Sequence, residues 1–528
     1  FIIGNNIIET HPVTATFVKR GKTRGNKIIV CDPKWTPMVK YADIWLQPKL
    51  GTDVALLNGI IHIIIKKRLY DETFIKNRVK GGLDAFQVLM EQTSKYTPEK
   101  VAEITGVPID LLEAAATIYA SSTTAIIATG MGMSQQVTGT NNVFALINMM
   151  LITGQIGREA AGIDPPRGQN NVQGATDVGA SPVFYPGYIP VKEIENRRKV
   201  AKVWGVDFES LPDQPGLTTV EIMKSAYHRD IKGLYILGEN PMITDPNLNH
   251  AEEAFRRMEF VVVQDIFFTE TAAMADVVLP ATSFAEKDGT SVNSDRRVLR
   301  VRKTVDPPGE ARNDWSIIVD IAKRMGNPFP EYQDSEAVFE EIRKVTPIFA
   351  GITYDRIEQQ GLQWPCPDED HPGSRFLHGR LWERPISGRR APFSCVEHRP
   401  PVDVLTEEFP LRLTTGRVLD SYNTGVQTES FNSPIRSGEA LDLSTADALA
   451  LGVQAGDRVQ VSSRRGSIEM TIDIDASLQT GLAFTTFHFP ELADINQLTN
   501  DAYDSKSGTA EFKAAAIRVE KITEATRV

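Results

Sequence analysis

Two stretches of this chain repeat one another, and that repeat restricts the fold more than any other feature. "FIIGNNIIETHP" (1–12) aligns with "LYILGENPMITDP" (234–246): an apolar run, then Gly-x-Asn, then a polar turn holding an acid and a proline. Further on, "IIVCDP...YADIWLQP" aligns with "VVVQDI...MADVVLPA". Gly4 precedes Asp32 by 28 positions and Gly238 precedes Asp265 by 27, while Asp32 to Asp43 and Asp265 to Asp276 are both 11. Matched spacing of this kind marks one supersecondary unit used twice.

Each copy predicts a strand, a glycine turn, a helix, a strand ending in Asp, a short helix and a further "Ala-Asp plus apolar" strand, the alternation of a parallel α/β sheet. Ligands of such sheets sit at the carboxyl ends of the strands, where glycine admits a phosphate and an acid meets ribose or base donors. The competing reading is that the glycines form tight turns and that Asp32, before Pro33, caps a helix. A third strand running into glycines, "AIIATGMGMSQQVTG" (125–139), is followed by the apolar helix "NNVFALINMMLITG".

Residues 330–403 show many prolines and no period, and read as an insert plus linker. From 409 the pattern becomes short alternating strands and turns, including "VQAGDRVQVSSRRGSIEMTIDI", which predicts a small β-barrel. The expected division is 1–166 and 167–329 as two α/β domains, 330–404 as insert and linker, and 405–528 as the barrel.

Several function classes are disfavoured. The net charge of -11 is spread along the chain, and "NRRKVAK" and "RRVLRVRK" are short and interrupted by apolar residues, so no nucleic-acid surface is expected. No apolar run reaches the roughly 18 residues of a membrane span. Cys31, Cys366 and Cys395 lack CxxC spacing, so they predict neither a disulfide framework nor a metal site; a cytoplasmic location is expected. "RGKT" (20–23) has Thr16 where a P-loop needs its leading glycine, and neither HExxH nor GxSxG occurs. The chain opens inside an apolar strand without an initiator methionine, which reads as a missing N-terminal portion.

A glycine-spaced, amide-rich internal stretch is "RGQNNVQGATDVGA" (167–180), reached through the stiff "GIDPP". Its amides are costly to bury without partners, so the loop is either solvated or lines a polar ligand. Together with "YPGY" it closely resembles the signature of molybdopterin-dependent formate dehydrogenase catalytic (alpha) subunits. The resemblance extends through "GNNIIETHP", "GMGMSQ", "GENPMITDP", "VVVQDIFFTETAAMADVVLPA", "QWPCP", "LTTGRV" and "LTNDAYDSKSGTAEFK".

The resemblance implies an α/β fold class: two Rossmann-like domains, each cradling one molybdopterin guanine dinucleotide of a molybdenum or tungsten centre, followed by a C-terminal, double-psi-like β-barrel that covers both. It implies a first nucleotide site at Gly4, Asn6, Glu9, Asp32, Gly51 and Asp53, with Met131 and Gln135 nearby. The second site falls on Gly238, Asn240, Gln264, Asp265 and Thr269. From the barrel, Thr415, Arg417, Asn496 and Lys513 match residues that reach pterin and phosphates; Gly168 and Gln169 match pterin neighbours.

Arg167 matches the arginine that orients formate, a task suited to a planar cationic fork. The implied reaction is oxidation of formate to carbon dioxide, with electrons leaving through iron–sulfur clusters to an NAD- or ferredoxin-linked subunit carrying flavin or iron–sulfur centres. In that family the Cys or selenocysteine metal ligand, its neighbouring histidine and the 4Fe-4S cysteines lie ahead of the strand that opens this chain. No metal ligand is therefore assigned to the residues in hand. Thr176 replaces a frequent cysteine, and Ser421-Tyr422-Asn423 replaces a stretch that commonly holds histidine. The alternatives are another bis-pterin oxidoreductase such as a nitrate reductase, or a non-catalytic electron-relay subunit; a nicotinamide enzyme lacks its GxGxxG here.

Overall fold

Short, wholly apolar strands flanked by helices can only be buried between two helical layers, and the N-terminal third of the chain folds that way. In a computed structural model of the protein, which describes residues 1–327, 329–424 and 438–522, five strands form one parallel sheet. They are β1 (Ile2–Ile3), β2 (Ile29–Cys31), β3 (Ile44–Leu46), β4 (Ile126–Thr129) and β5 (Gly162–Asp164), in the order β3-β2-β1-β4-β5. The helix Asp53–Lys66 buries eleven consecutive residues, from Val54 to Ile64. Apolar around most of its circumference, it packs in the core with Leu89, Leu112, Leu146 and Met150. Each such Leu or Ile contributes roughly 1.5–3 kcal/mol through apolar burial.

The chain divides into two compact units. The first comprises Phe1–Pro166, Ile243–Glu252 and His378–Val528; the second comprises Arg167–Met242 and Glu253–Leu377. In the second unit a two-stranded hairpin, β6 (Phe184–Tyr185) and β7 (Ile189–Pro190), precedes a parallel sheet. That sheet has the order β10-β9-β8, formed by β8 (Gly233–Leu237), β9 (Phe260–Asp265) and β10 (Val277–Pro280). An antiparallel sheet follows: β11 (Gly289–Val292), β12 (Arg297–Val301) and β13 (Leu362–Gln363). The segment beyond residue 330, which has no sequence period, gives this unit the helix Ser335–Val345 and a core of Phe339, Phe349, Ile352, Trp364 and Cys366.

Residues 378–401 lie along the helices of the first unit. Asn58 Nδ2 donates to Val396 O at 2.9 Å, Asn148 Nδ2 donates to Ser394 O at 2.7 Å, and Trp382 Nε1 donates to Ile156 O at 2.7 Å. The chain then closes a six-stranded barrel. Its strands are β14 (Leu411–Thr415), β15 (Ala440–Leu443), β16 (Arg458–Ser462), β17 (Ser467–Ile474), β18 (Leu482–Thr485) and β19 (Ala515–Lys521), in the order β14-β18-β15-β17-β16-β19. Inward residues such as Leu413, Leu441, Val461, Ile472 and Ile517 fill it, alternating with outward polar ones as the pleat requires. Among the described residues no helix is long and apolar enough to cross a membrane.

Candidate functional site

The repeat seen in the sequence is a repeat of hydrogen bonds. Gly4 follows β1 with φ +56° and Gly238 follows β8 with φ +65°, a region open to glycine at little cost. Gly4 N donates to Cys31 O at 3.0 Å, and Gly238 N donates to Gln264 O at 2.9 Å. Each acceptor is the residue before the repeat's first Asp. Asp32 Oδ1 then accepts from Lys34 N, two residues on, and Asp265 Oδ1 accepts from Phe267 N, also two residues on.

The second Asp of each copy is structural. Asp43 N donates to Ile28 O and its Oδ2 accepts from Ile28 N at 2.9 Å; Asp276 N donates to Val261 O and its Oδ2 accepts from Val261 N at 2.7 Å. These reciprocal bonds fix the register between the middle strand and the next. Burial opposes ionisation of Asp43, but the Lys22 ammonium, the Ile28 amide and Lys27 hold its carboxyl down to about 2.

In the first copy the turn is packed against "GMG". A Cβ on Gly132 would stand 2.8 Å from Gly4 Cα, and one on Gly130 would stand 2.8 Å from Gly4 O, so backbone meets backbone with no flexible group to yield. Asn6 Nδ2 donates to Glu9 Oε2 at 2.8 Å, leaving Asn6 Oδ1 buried without a partner; Thr129 Oγ1, at the end of β4, is in the same state. Buried polar atoms of this kind call for an explanation such as a bound group.

Two acids sit deep beside this turn. Burial pushes the Asp32 carboxyl up to about 7, with Asp53 adding to the shift and Lys513 and Lys34 working against it. Burial pushes Asp53 up to about 6, although Gln136 Nε2 donates to it at 3.1 Å. Gly51, with φ +77°, closes against Pro401, whose Cγ would lie 2.5 Å from an added Cβ.

The barrel supplies a buried cation to the same place. Lys513 is 8% exposed, its Nζ donates to Thr415 O at 2.8 Å, and burial brings its ammonium down to about 8 despite the nearby Asp32. Arg417 lies over the Tyr422 ring at 4.4 Å with its Nε buried and unpartnered. Asn496 Nδ2 donates to Ile243 O at 2.8 Å. Lys34, over the Phe484 ring, pairs with Asp442 at 2.9 Å and Asp475 at 2.5 Å and ties the first sheet to the barrel.

Residues 1–324 match the Molybdopterin oxidoreductase family, and residues 411–516 match the Molydopterin dinucleotide binding domain. The chain belongs to the molybdopterin oxidoreductase family. It is 44% identical over 531 residues to the F420-dependent formate dehydrogenase subunit alpha of Methanocaldococcus jannaschii, spanning 99% of this chain and 76% of that protein. It is 35% identical over 528 residues to the assimilatory nitrate reductase catalytic subunit of Bacillus subtilis, spanning 98% and 73%. Acetylene hydratase from Pelobacter acetylenicus shares the fold, with a TM-score of 0.74 at 21% identity over 99% of this chain and 77% of that one.

The first-unit residues fit the dinucleotide this family carries. A pinned glycine turn, the unpartnered Asn6 Oδ1, Thr129 Oγ1 and Arg417 Nε, and the Asp32, Asp53 and Lys513 cluster together offer donors, acceptors and charge of both signs. In the second unit, Asn240 Oδ1 accepts from Thr271 N at 3.1 Å and its Nδ2 donates to Glu270 Oε2 at 2.7 Å, so Asn240 faces Glu270 as Asn6 faces Glu9. Gln264 is fully buried and its Nε2 donates to Asp314 Oδ1 at 2.9 Å; Thr269 caps Glu270–Ala273. Burial raises Asp265, and Asp314 adds to that rise.

Some family positions are placed less tellingly. Met131 is 58% exposed. It is Gln136, next to Gln135, whose amide reaches Asp53; sequence reasoning missed it because both glutamines lie in the bend after the helix Met131–Ser134, where no period tells which one turns inward. An added Cβ on Gly168 would meet nothing within 4 Å, so this unit gives no steric reason for a glycine there.

The arginine loop is anchored from beneath. Arg167 to Asn171 are exposed, whereas Gln173 and Asp177 are buried. Arg167 N donates to Ser294 Oγ at 2.9 Å and Arg167 Nε donates to Gln173 Oε1 at 3.0 Å. Asn171, at φ +62°, accepts from Val292 N, and its Oδ1 would lie 2.1 Å from an added Cβ on Gly174. The amides of this polar stretch are thus divided between surface and support.

Proposed function

We propose that this chain oxidises formate to carbon dioxide at a molybdenum or tungsten centre held by two molybdopterin guanine dinucleotides, one on each repeat. The observation that carries the reading is the duplicated turn. The same glycine conformation, the same amide-to-carbonyl bond and the same Asp accepting from the backbone N–H two residues on occur at Gly4/Asp32 and Gly238/Asp265. The identity to a formate dehydrogenase alpha subunit, with "RGQNNVQG" intact, favours formate over nitrate.

In this reading Asn6, Glu9, Asp32 and Asp53 hold the guanosine end of one nucleotide, and Asn240, Gln264, Asp265 and Thr269 hold the other. Met131 and Gln135 lie near the first nucleotide, and Gly168 and Gln169 neighbour a pterin. Thr415, Arg417, Asn496 and Lys513 close over pterin and phosphate, where two cations and backbone amides offset anionic charge. The bound metal–pterin group supplies the two-electron acceptor. Arg167 binds the formate carboxylate and orients its C–H bond, which breaks as two electrons and a proton leave and carbon dioxide forms. The electrons pass through 4Fe-4S clusters to a partner subunit of NAD- or ferredoxin-linked type, and the assembly works in the cytoplasm.

Arg167→Ala in the metal-loaded full-length subunit tests the substrate role. Formate kcat/KM falls by about a thousandfold, the order seen when an electrostatic positioning group is lost, while metal and pterin content stay as in the parent. Unchanged kcat/KM refutes it.

A further inference from the structure

Beneath the arginine loop lies a buried polar hub that neither repeat uses. Asp177 is 0% exposed, yet both of its carboxylate oxygens are engaged. Oδ1 accepts from Gln173 Nε2 at 2.7 Å and from Tyr188 OH at 2.7 Å; Oδ2 accepts from Trp364 Nε1 at 2.7 Å. Tyr188 OH also accepts from Gln173 Nε2 at 3.0 Å. Gln173 Oε1, at the other end of the amide, accepts from Arg167 Nε at 3.0 Å. The Tyr188 and Trp364 rings lie 6.1 Å apart and wall the hub in.

The direction of this chain is set by the donors that converge on Asp177. Trp364 Nε1 can only donate to Oδ2 and Oδ1 accepts twice, so the carboxyl acts as acceptor throughout and the Gln173 amide points its NH2 at Asp177 and its oxygen at Arg167. Arg167 Nε–H only donates, and meets an acceptor for that reason alone. Three donors from Gln173, Tyr188 and Trp364 converge on one fully buried carboxylate at the end of the six-residue helix Val172–Asp177, so this end of the hub is held from three directions.

We infer that Asp177, acting through Gln173, is the positioning residue that fixes the guanidinium plane of Arg167 and thereby the angle at which this arginine meets a planar carboxylate. The inference rests on the formate-orienting role proposed for Arg167. Asp177 never touches substrate; its effect is on where the fork points. An Asn in its place carries an NH2 as well as an oxygen. With its NH2 toward Gln173, the glutamine amide turns over and confronts Arg167 Nε with a second donor. With its NH2 toward Trp364, donor meets donor there.

The test uses the metal-loaded full-length subunit in three variants. Asp177→Asn and Gln173→Met are each expected to raise the KM for formate about tenfold, the scale of one hydrogen bond to a charged group, with a smaller fall in kcat and unchanged metal and pterin content. The double variant is expected to be no worse than either single one, because both cut the same chain. Additive losses, or an unchanged KM in Gln173→Met, overturn the inference. If Asp177→Asn loses its metal or fails to fold, Gln173→Met alone decides by the same criterion. Arg167→Lys separates the two claims: if it leaves kcat/KM unchanged, the substrate reading itself fails; if it lowers kcat/KM while Gln173→Met leaves KM unmoved, only the hub is refuted.

Discussion

Replacing Asp32 by Asn in the cofactor-free chain isolates the strain stored in the first cradle. The Asp32 carboxyl is raised from 3.8 to about 7 on folding, about three units, and at about 1.36 kcal/mol per unit this is about 4 kcal/mol. Asp32 keeps partial exposure to solvent, so solvent screening reduces the figure to about 2 kcal/mol. The sign follows from proton binding: the folded state holds this proton more tightly than the unfolded state does. The contribution is therefore fully present below pH 3.8 and is lost as pH rises through 7. Asn keeps the acceptor for Lys34 N and removes the charge.

Asp32→Asn is thus expected to raise the thermal midpoint of the cofactor-free chain by a few degrees at pH 8 and by much less at pH 5. The same variant of the loaded protein retains less nucleotide, the usual exchange of stability against function at a prepared site. Differential scanning fluorimetry at the two pH values reads the first effect. A loss of stability at pH 8, or the same gain at both pH values, refutes the burial argument.

Other perturbations probe the frame around that site. Asp276→Ala removes the acceptor for Val261 N and should cost about 2 kcal/mol in urea unfolding; no change in midpoint would show that the register is held elsewhere. Gly132→Ala pushes a Cβ to 2.8 Å from Gly4 Cα and should lower both stability and nucleotide retention. Gly168→Ala, with nothing within 4 Å, should shift stability by less than about 0.5 kcal/mol. Equal effects of the two would undo the packing account of the turn. Lys34→Met leaves Asp442 and Asp475 without their cation and should destabilise by about 2 kcal/mol at pH 8 and by less at acid pH, where the Asp442 carboxyl, raised by burial even beside Lys34, takes up a proton; a loss independent of pH would contradict the ion-pair origin.

The doubled α/β unit was legible because its periodicity, its Gly-x-Asn turn and its paired Asp spacings are local features, and local features survive in sequence. What each Asp does was not legible. Asp32 and Asp43 look alike on paper, yet one lies at a strand's carboxyl end and the other closes a reciprocal bond with Ile28. The barrel announced itself by alternation. The packing of Phe349, Trp364 and Cys366 onto Phe339 of the helix Ser335–Val345 did not, because those three come from a 3₁₀ turn and irregular chain without a period. Arg167 was conspicuous within its amide-rich stretch. Its support was hidden, since Trp364 reaches Asp177 across 187 positions and no sequence pattern links them.

The central claim is that the repeat exists to hold two similar nucleotides around one metal. Acid release of guanine nucleotide from the metal-loaded full-length subunit, quantified against molybdenum or tungsten in the same sample, tests it directly. The account predicts about two guanine nucleotides per metal, one per Gly-x-Asn turn. A ratio of about one would contradict it, leaving the second turn as a structural echo without a ligand.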